Sequence, residues 1–364
     1  MTEQTFDKLG DEILKGLSGD NEAIPIGLPK LGRYANWRKR IFTLIFSSTG
    51  AGKSALVDDM MLNACEHVIL QKKAGINKTD IHFKLFSMER SKHLRVAKWI
   101  IRKIFIDHGR VIPLPKLLGW WDMKMSKDEH DLFLMYRDYI STLLEEYIDI
   151  YEGAKTPNHI YQIMKGYFEN NGVEDNVNEH KKIYLPNNEN KLVVPIIDHG
   201  SLLRTTKDLY TKKMAIDMTS SYMQTFRDFY GASPVWVAQV NRSLSGLSRT
   251  KDAEYELNLD DVKESGDLGD ACDIALSLFD PAKFGQASKT GYSPLDFIDK
   301  ETGAKYFRSI QIVKSSYGED DLRIPLAFNG FCGQFKELPR RKDLNEKEYG
   351  NLISNIIDKS YFLK

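Results

Sequence analysis

Residues Ser47-Ser-Thr-Gly-Ala-Gly-Lys-Ser54 lie between an apolar run, Ile41-Phe-Thr-Leu-Ile-Phe46, and a helical pattern that begins near Lys53. A strand that turns through small residues into a helix can aim several backbone N–H groups into one concavity, where the positive end of the helix dipole adds to them. The spacing fits the pattern G-x-x-x-x-G-K-[ST] except at its first position, where Ser47 stands in place of glycine. Ser48, Thr49, Gly50, Ala51, Gly52, Lys53, Ser54 and Ala55 are therefore expected around the phosphates of a nucleotide, ATP. Lys53 would reach the β- and γ-phosphates, and the Ser54 hydroxyl would ligate Mg²⁺. The plain alternative is a chance run of small residues, and the flanking strand and helix argue against it.

Three further apolar runs end on polar residues. Ile81-His-Phe-Lys-Leu-Phe-Ser87 alternates, carries aromatics and runs into Met88-Glu89-Arg90. Leu192-Val-Val-Pro-Ile-Ile-Asp198 reads as a buried parallel strand presenting a carboxylate, although Pro195 removes a ladder donor. Pro234-Val-Trp-Val-Ala-Gln239 is the third. Helical spacing over 54–71, 91–107 and about 207–230 separates these runs. The order predicts an α/β fold with a mostly parallel central sheet flanked by helices, its ligands at the carboxyl ends of the strands. The phosphate loop, Glu89, Asp198 and Gln239 all fall at those ends. ATP hydrolysis needs a metal held by a hydroxyl and an acid, a group that orients water, and contacts to the γ-phosphate. Asp198 fits the Mg²⁺ acid, Glu89 the water-activating base and Gln239 the γ-phosphate sensor. Alone, an acid closing a strand is often a helix N-cap; convergence on the loop favours the catalytic reading.

The flanking segments carry less chemistry. Phe6, Leu9, Ile13, Leu14 and Leu17 place one apolar stripe on a short helix over 4–17, ended by Ser18-Gly-Asp-Asn21. Such a helix is marginal alone, so its stripe needs a surface on its own domain or on a neighbouring subunit. On the 91–107 helix, Arg95, Lys98, Arg102 and Lys103 read as a solvated basic face. Residues 108–190 read as largely helical, with one long amphipathic helix from Asp128 to Tyr151. Asn345–Lys364 reads as a helix with Tyr349, Leu352, Ile356 and Ile357 on one face. The chain has 51 basic and 51 acidic residues, so any nucleic-acid binding must rest on local placement of charge. Cys65, Cys272 and Cys332 are scattered without metal spacing, which suggests free thiols in a reducing compartment. With no apolar run of membrane length and no signal-peptide core, a cytoplasmic protein is expected.

Several segments resemble one family in order. Phe86-Ser-Met-Glu-Arg-Ser91 is similar to the FSLEMS segment of DnaB-type replicative helicases, Ile197-Asp198-His199 to their VDY, and Ala238-Gln-Val-Asn-Arg242 to their SQLNR. Leu259–Asp273 resembles LSDLRESGAIEQDAD. Ile312–Gly318, Leu326-Ala-Phe328 and Phe335-Lys336 parallel AKNRNGP, LAFD and GRF. The resemblance covers about Ile24 to Leu338. It implies a RecA-like P-loop ATPase domain over 23–340 with a helical insertion at about 110–150. A linker helix would occupy 1–22 and a helical extension 341–364. It further implies a homo-hexameric ring with ATP and Mg²⁺ between subunits, unwinding DNA during replication by translocating on single-stranded DNA in its channel. A primase or helicase loader is an implied kind of partner.

Carried over, Lys53, Ser54, Asp198, Glu89 and Gln239 keep the roles argued above. Lys263, Glu264 and Gly266 match the family's DNA-binding loop, in which Glu264, repelled by phosphate, would orient the loop. A loop that tracks phosphates needs no base readout. The family's trans-acting arginine falls at Ser316, so Lys314, or Arg323 nearby, would have to supply the catalytic cation. The compact layout resembles bacteriophage-encoded members. Two alternatives stand beside this reading. A recombinase or KaiC-like ATPase would share the fold without the motifs at 86–91 and 259–273 together. A ring that holds ATP and binds DNA but hardly hydrolyses would be consistent with Ser316.

Overall fold

The computed structural model describes residues 2–18, 23–76, 78–178, 181–209, 211–240, 256–262 and 266–363. The chain begins with α1 (Thr2–Leu17), α2 (Pro29–Ala35), β1 (Thr43–Ser47), α3 (Lys53–Lys73), β2 (Asp80–Ser87) and α4 (Lys92–His108). Three short helices, α5 (Leu114–Leu117), α6 (Lys127–Leu134) and α7 (Arg137–Thr142), lead to β3 (Ile148–Glu152). Then come α8 (Pro157–Asn170), the hairpin β4 (Gly172–Asn178) and β5 (Lys181–Pro186), β6 (Lys191–Asp198), α9 (Lys212–Asp228) and β7 (Val235–Gln239). The last part holds α10 (Gly266–Ala271), β8 (Ile274–Phe279), β9 (Phe307–Ser315), β10 (Leu322–Asn329), β11 (Gln334–Glu337) and α11 (Glu346–Ile357).

Nine of these strands form one sheet in the order β11-β10-β9-β8-β1-β7-β6-β2-β3. From β3 to β8 the neighbours are parallel, and β9 to β11 continue antiparallel. Parallel strands covered on both faces bury every side chain, which is why β1 is apolar throughout rather than alternating. Ile45 packs on one face with Leu56 and Met60 of α3 and Ile104 of α4. Leu44 and Phe46 pack on the other with Phe168 of α8 and Ile216 and Phe226 of α9. Pro195 is accommodated because β7 joins β6 only from Ile196 onward, so the proline precedes that ladder instead of interrupting it.

Two expectations are corrected. Residues 108–190 are not largely helical, since they hold β3 and the β4–β5 hairpin. The single helix expected from Asp128 to Tyr151 is α6, α7, a π-helical turn over Leu143–Tyr147, and then β3. Pairing along the β2 edge overrides the helical pattern there, with Phe83 opposite Ile148 and Ser87 opposite Glu152. The register also sets Lys84 against Asp149, and the two side chains form an ion pair. Lys84 Nζ lies 3.7 Å over the Tyr167 ring, and burial lowers its pKa.

The basic face of α4 is the second correction, because Arg95 and Arg102 are buried. Arg102 Nε donates to Asp59 Oδ1 at 2.7 Å and its Nη2 to Asn63 Oδ1 at 2.7 Å. At the C-terminal end, α11 buries Tyr349, Leu352 and Ile356 and opens on a capping box between Asn345 and Glu348. On α1, by contrast, Phe6, Leu9, Ile13, Leu14 and Leu17 are exposed. No helix among the described residues is long and apolar enough to cross a membrane.

Cys65, Cys272 and Cys332 are unpaired and buried. Burial pushes the Cys272 thiol up to about 11 and Cys332 up to about 12, and holds Cys65 well above its ordinary value. Little reactive thiolate exists at pH 8 under such conditions. A chromogenic thiol reagent at pH 8 is therefore expected to leave the folded chain unlabelled while modifying all three cysteines after denaturation. A rapidly reacting thiol in the native protein would contradict the burial.

Candidate nucleotide-binding site

The loop after β1 turns on Gly50 (φ 82°) and Gly52 (φ 109°), left-handed conformations that side chains disfavour. At Gly52 there is also no room, since a Cβ would sit 3.1 Å from Phe328 Cζ and 3.2 Å from Phe335 Cζ. Ser47 needs no such freedom. It is the last residue of β1 with an ordinary φ, and its hydroxyl donates to Ser48 O at 2.9 Å. Helix α3 begins at Lys53 with Gly52 as N-cap and no side-chain cap, so its first-turn N–H groups suit an anion. Lys53 Nζ bridges back to Ser47 O at 3.2 Å and Ser48 O at 3.3 Å.

The sheet order brings the other strand ends alongside. Gln239 pairs in register with Ser47, and its side-chain amide donates to Thr49 Oγ1. Next in the sheet is β6, whose terminal Asp198 is buried and accepts a hydrogen bond from Ser54 Oγ at 3.1 Å. Beyond it, β2 sets Ser87 opposite Asp198, and Met88 N donates to Asp198 O at 2.8 Å. Glu89 follows with its side chain largely exposed, Oε2 lying 3.7 Å from His199 Nε2. His199 Nδ1 is in turn 2.7 Å from Ser201 Oγ. The residues fit a Mg²⁺–nucleotide: Ser54 and Asp198 offer neighbouring oxygens, and Mg²⁺ ordinarily takes one or two protein ligands beside phosphates and water.

Basic side chains hold the loop in ways the sequence did not reveal. Arg95 Nη1 donates to Asp198 Oδ2 at 2.8 Å. Arg308 Nε donates to Ala51 O at 2.9 Å, and Lys283 Nζ to Thr49 O at 2.5 Å, so both grip outward-facing carbonyls of the loop. Burial lowers the Arg308 pKa, partly offset by Asp280, whose carboxylate lies 3.3 Å from Nη2. Beside the loop is a cavity of about 520 Å³ whose walls include Gly50, Lys283, Tyr306, Arg308, Phe328 and Phe331. That size and its aromatic walls suit the nucleoside part of a ligand.

Other candidates lie elsewhere. Because β9 runs antiparallel to β8, Lys314 and Ser316 sit at the end of the sheet opposite the loop. Lys314 Nζ donates to Gly269 O at 2.8 Å and Asp270 O at 3.2 Å, and Ser316 N to Asp273 O at 2.9 Å. Arg323 is clasped by both Glu256 oxygens at 2.7 Å and by Asp321 Oδ1 at 2.9 Å. Its pKa is raised, chiefly by the Glu256 hydrogen bond. Gly266 opens α10, while Lys263 and Glu264 lie outside the described residues.

A mostly parallel sheet with a phosphate loop after β1 and an acid at the neighbouring strand ends defines the RecA-like P-loop ATPase class of fold. No protein-family model and no curated protein matches the sequence. Among solved structures, the chain is similar to the ATPase domain of a phage helicase, with 20% identity and a TM-score of 0.66 over 93% of this chain and 99% of that one. It is also similar to a DnaB-like replicative helicase described with its interactions with primase, with 20% identity and a TM-score of 0.64 over 93% of this chain and 67% of that one. At this identity the likeness is one of fold, and the fold is the RecA-like helicase-domain fold that the sequence resemblance implied.

Proposed function

We propose that the protein is an ATP-dependent DNA helicase that assembles as a homo-hexameric ring and translocates on single-stranded DNA during replication. The observation that carries this is the meeting of Ser54 with Asp198 at the phosphate loop, flanked by Gln239 on Thr49 and Glu89 beside His199. In this reading Ser54 and Asp198 hold Mg²⁺, Lys53 and Gln239 contact the terminal phosphate, and Glu89 prepares the attacking water. Two features support a ring. Lys314 lies at the opposite end of the sheet, so it would serve a neighbouring copy's nucleotide rather than its own. The exposed apolar stripe of α1 gives that neighbour a surface to meet. DNA would run past Lys263, Glu264 and Gly266. A primase is the kind of partner suggested by the DnaB-like structure.

A second reading, a DNA-binding ring that holds ATP with little hydrolysis, draws on Ser316 and on the engagement of Arg323 by Glu256 and Asp321. ATP turnover measured with and without single-stranded DNA, together with mass in solution, separates the two. The helicase reading expects a hexamer with ATP, turnover stimulated by single-stranded DNA, and unwinding of a forked duplex. Lys53→Ala is expected to reduce turnover by about 10²-fold or more, because it removes a preorganised charge from the transferring phosphate. A monomer whose turnover ignores single-stranded DNA would sink the helicase reading. Tight binding without turnover would favour the second.

A further inference from the structure

We infer that Arg95 is a positioning residue that fixes which oxygen of Asp198 faces the nucleotide-bound Mg²⁺; the inference rests on the Mg²⁺–ATP reading above. Arg95 lies in the first turn of α4, and its side chain is fully buried. Its guanidinium joins three elements at the edge of the site. Nε donates to Asp58 Oδ1 of α3 at 2.7 Å, and Nη1 donates to Ser87 Oγ at the end of β2 at 3.2 Å and to Asp198 Oδ2 at the end of β6 at 2.8 Å. The two oxygens of Asp198 are thereby divided, Oδ2 to Arg95 and Oδ1 to Ser54 Oγ at 3.1 Å. Without a fixed donor, a carboxylate can turn about its terminal torsion, which is broad. Arg95 removes that freedom and leaves one oxygen beside the hydroxyl.

The charges are consistent with this role. Burial pulls the Arg95 pKa down, but Asp58 and Asp198 more than offset it, so the group stays a cation. One cation between two carboxylates leaves a single net negative charge. Asp58 accounts for the arginine's own charge, and the negative charge of Asp198 remains for Mg²⁺. Arg95 also braces the segment bearing Glu89, because Ser87 Oγ, which it contacts, donates to Arg90 O at 2.7 Å. An ion pair serving the core alone would need only Asp58. The bond to Asp198 is what links the pair to the site.

Arg95→Met alone would strand Asp58 in the interior, so the informative variant is Arg95→Met/Asp58→Leu. It removes a neutral pair, which buried sites often tolerate when the replacement is apolar. A fluorescent ADP analogue is titrated onto wild type and variant, first in EDTA and then with rising Mg²⁺, with thermal unfolding followed in parallel. Affinity in EDTA is expected to stay within about twofold of wild type. The Mg²⁺ concentration for half-maximal response is expected to rise about tenfold, the usual scale for losing a group that orients a metal ligand. Arg95→Lys, which offers one ammonium in place of the fork, should move it in the same direction. An unchanged or lowered Mg²⁺ requirement overturns the inference. An equal loss of affinity with and without Mg²⁺ also overturns it, by assigning Arg95 to the fold alone. A wild-type protein that binds the analogue with no response to Mg²⁺ refutes the underlying Mg²⁺–ATP reading instead.

Discussion

Glu89→Gln is expected to lower ATP turnover by about 10²–10⁴-fold, the usual contribution of a general base, while nucleotide affinity changes little. The two halves of this expectation have separate structural grounds. Binding should survive because Glu89 lies after the end of β2, two strands away from the end of β7, which itself adjoins the loop. The change is also isosteric, so His199, 3.7 Å from Glu89 Oε2, keeps a neighbour of the same shape. Turnover should fall because an amide cannot take a proton from water. The exposure of Glu89 is no objection in a ring, where a neighbouring copy would cover this edge. Phosphate release in a single turnover, beside a fluorescent-nucleotide titration, reads the two effects independently. Unchanged hydrolysis would remove Glu89 from the chemistry, and lost binding would mean that the side chain shapes the loop.

The elements legible in the sequence were those whose environment imposes a pattern by itself. Strands β1, β6 and β7 lie inside a parallel sheet, and burial on both faces turns them into apolar runs. Their polar ends then mark the carboxyl edge, which is why Asp198 and Gln239 could be placed beside the loop. Strand β3 was illegible for the converse reason. It lies at the sheet edge, and its Asp149 makes sense only opposite Lys84, which is 65 residues earlier. Periodicity also misjudged Arg95 and Arg102, because it counts every arginine as solvent-facing. Their partners Asp58 and Asp59 stand 37 and 43 residues away, on the buried face of α3. Two adjacent acids within an otherwise apolar helix were the available signal. For Arg308 and Lys283 there was none, since they reach the loop from 257 and 234 residues downstream.

The second large effect falls on stability. Arg102→Met is expected to cost about 3–5 kcal/mol, because it leaves Asp59 as an unpaired charge in the interior. Both side chains are almost fully buried, with Arg102 Nη2 2.6 Å from Asp59 Oδ1. Burial lowers the Arg102 pKa, and Asp59 and Glu66 more than restore it, so the pair is ionic. Chemical denaturation followed by circular dichroism measures the loss, and a change below about 1 kcal/mol would place the pair among weak surface bridges. The companion Arg102→Met/Asp59→Leu should recover only part of the loss. Asp59 Oδ2 also accepts the backbone N–H of Phe335 at 3.0 Å, and stranding that buried donor costs about 1–3 kcal/mol. Phe335 stacks on Phe328 with ring centroids 4.4 Å apart, and both rings lie against Gly52. The incomplete recovery should therefore be accompanied by weaker nucleotide binding, because Asp59 secures the strand whose aromatic ring supports the phosphate loop.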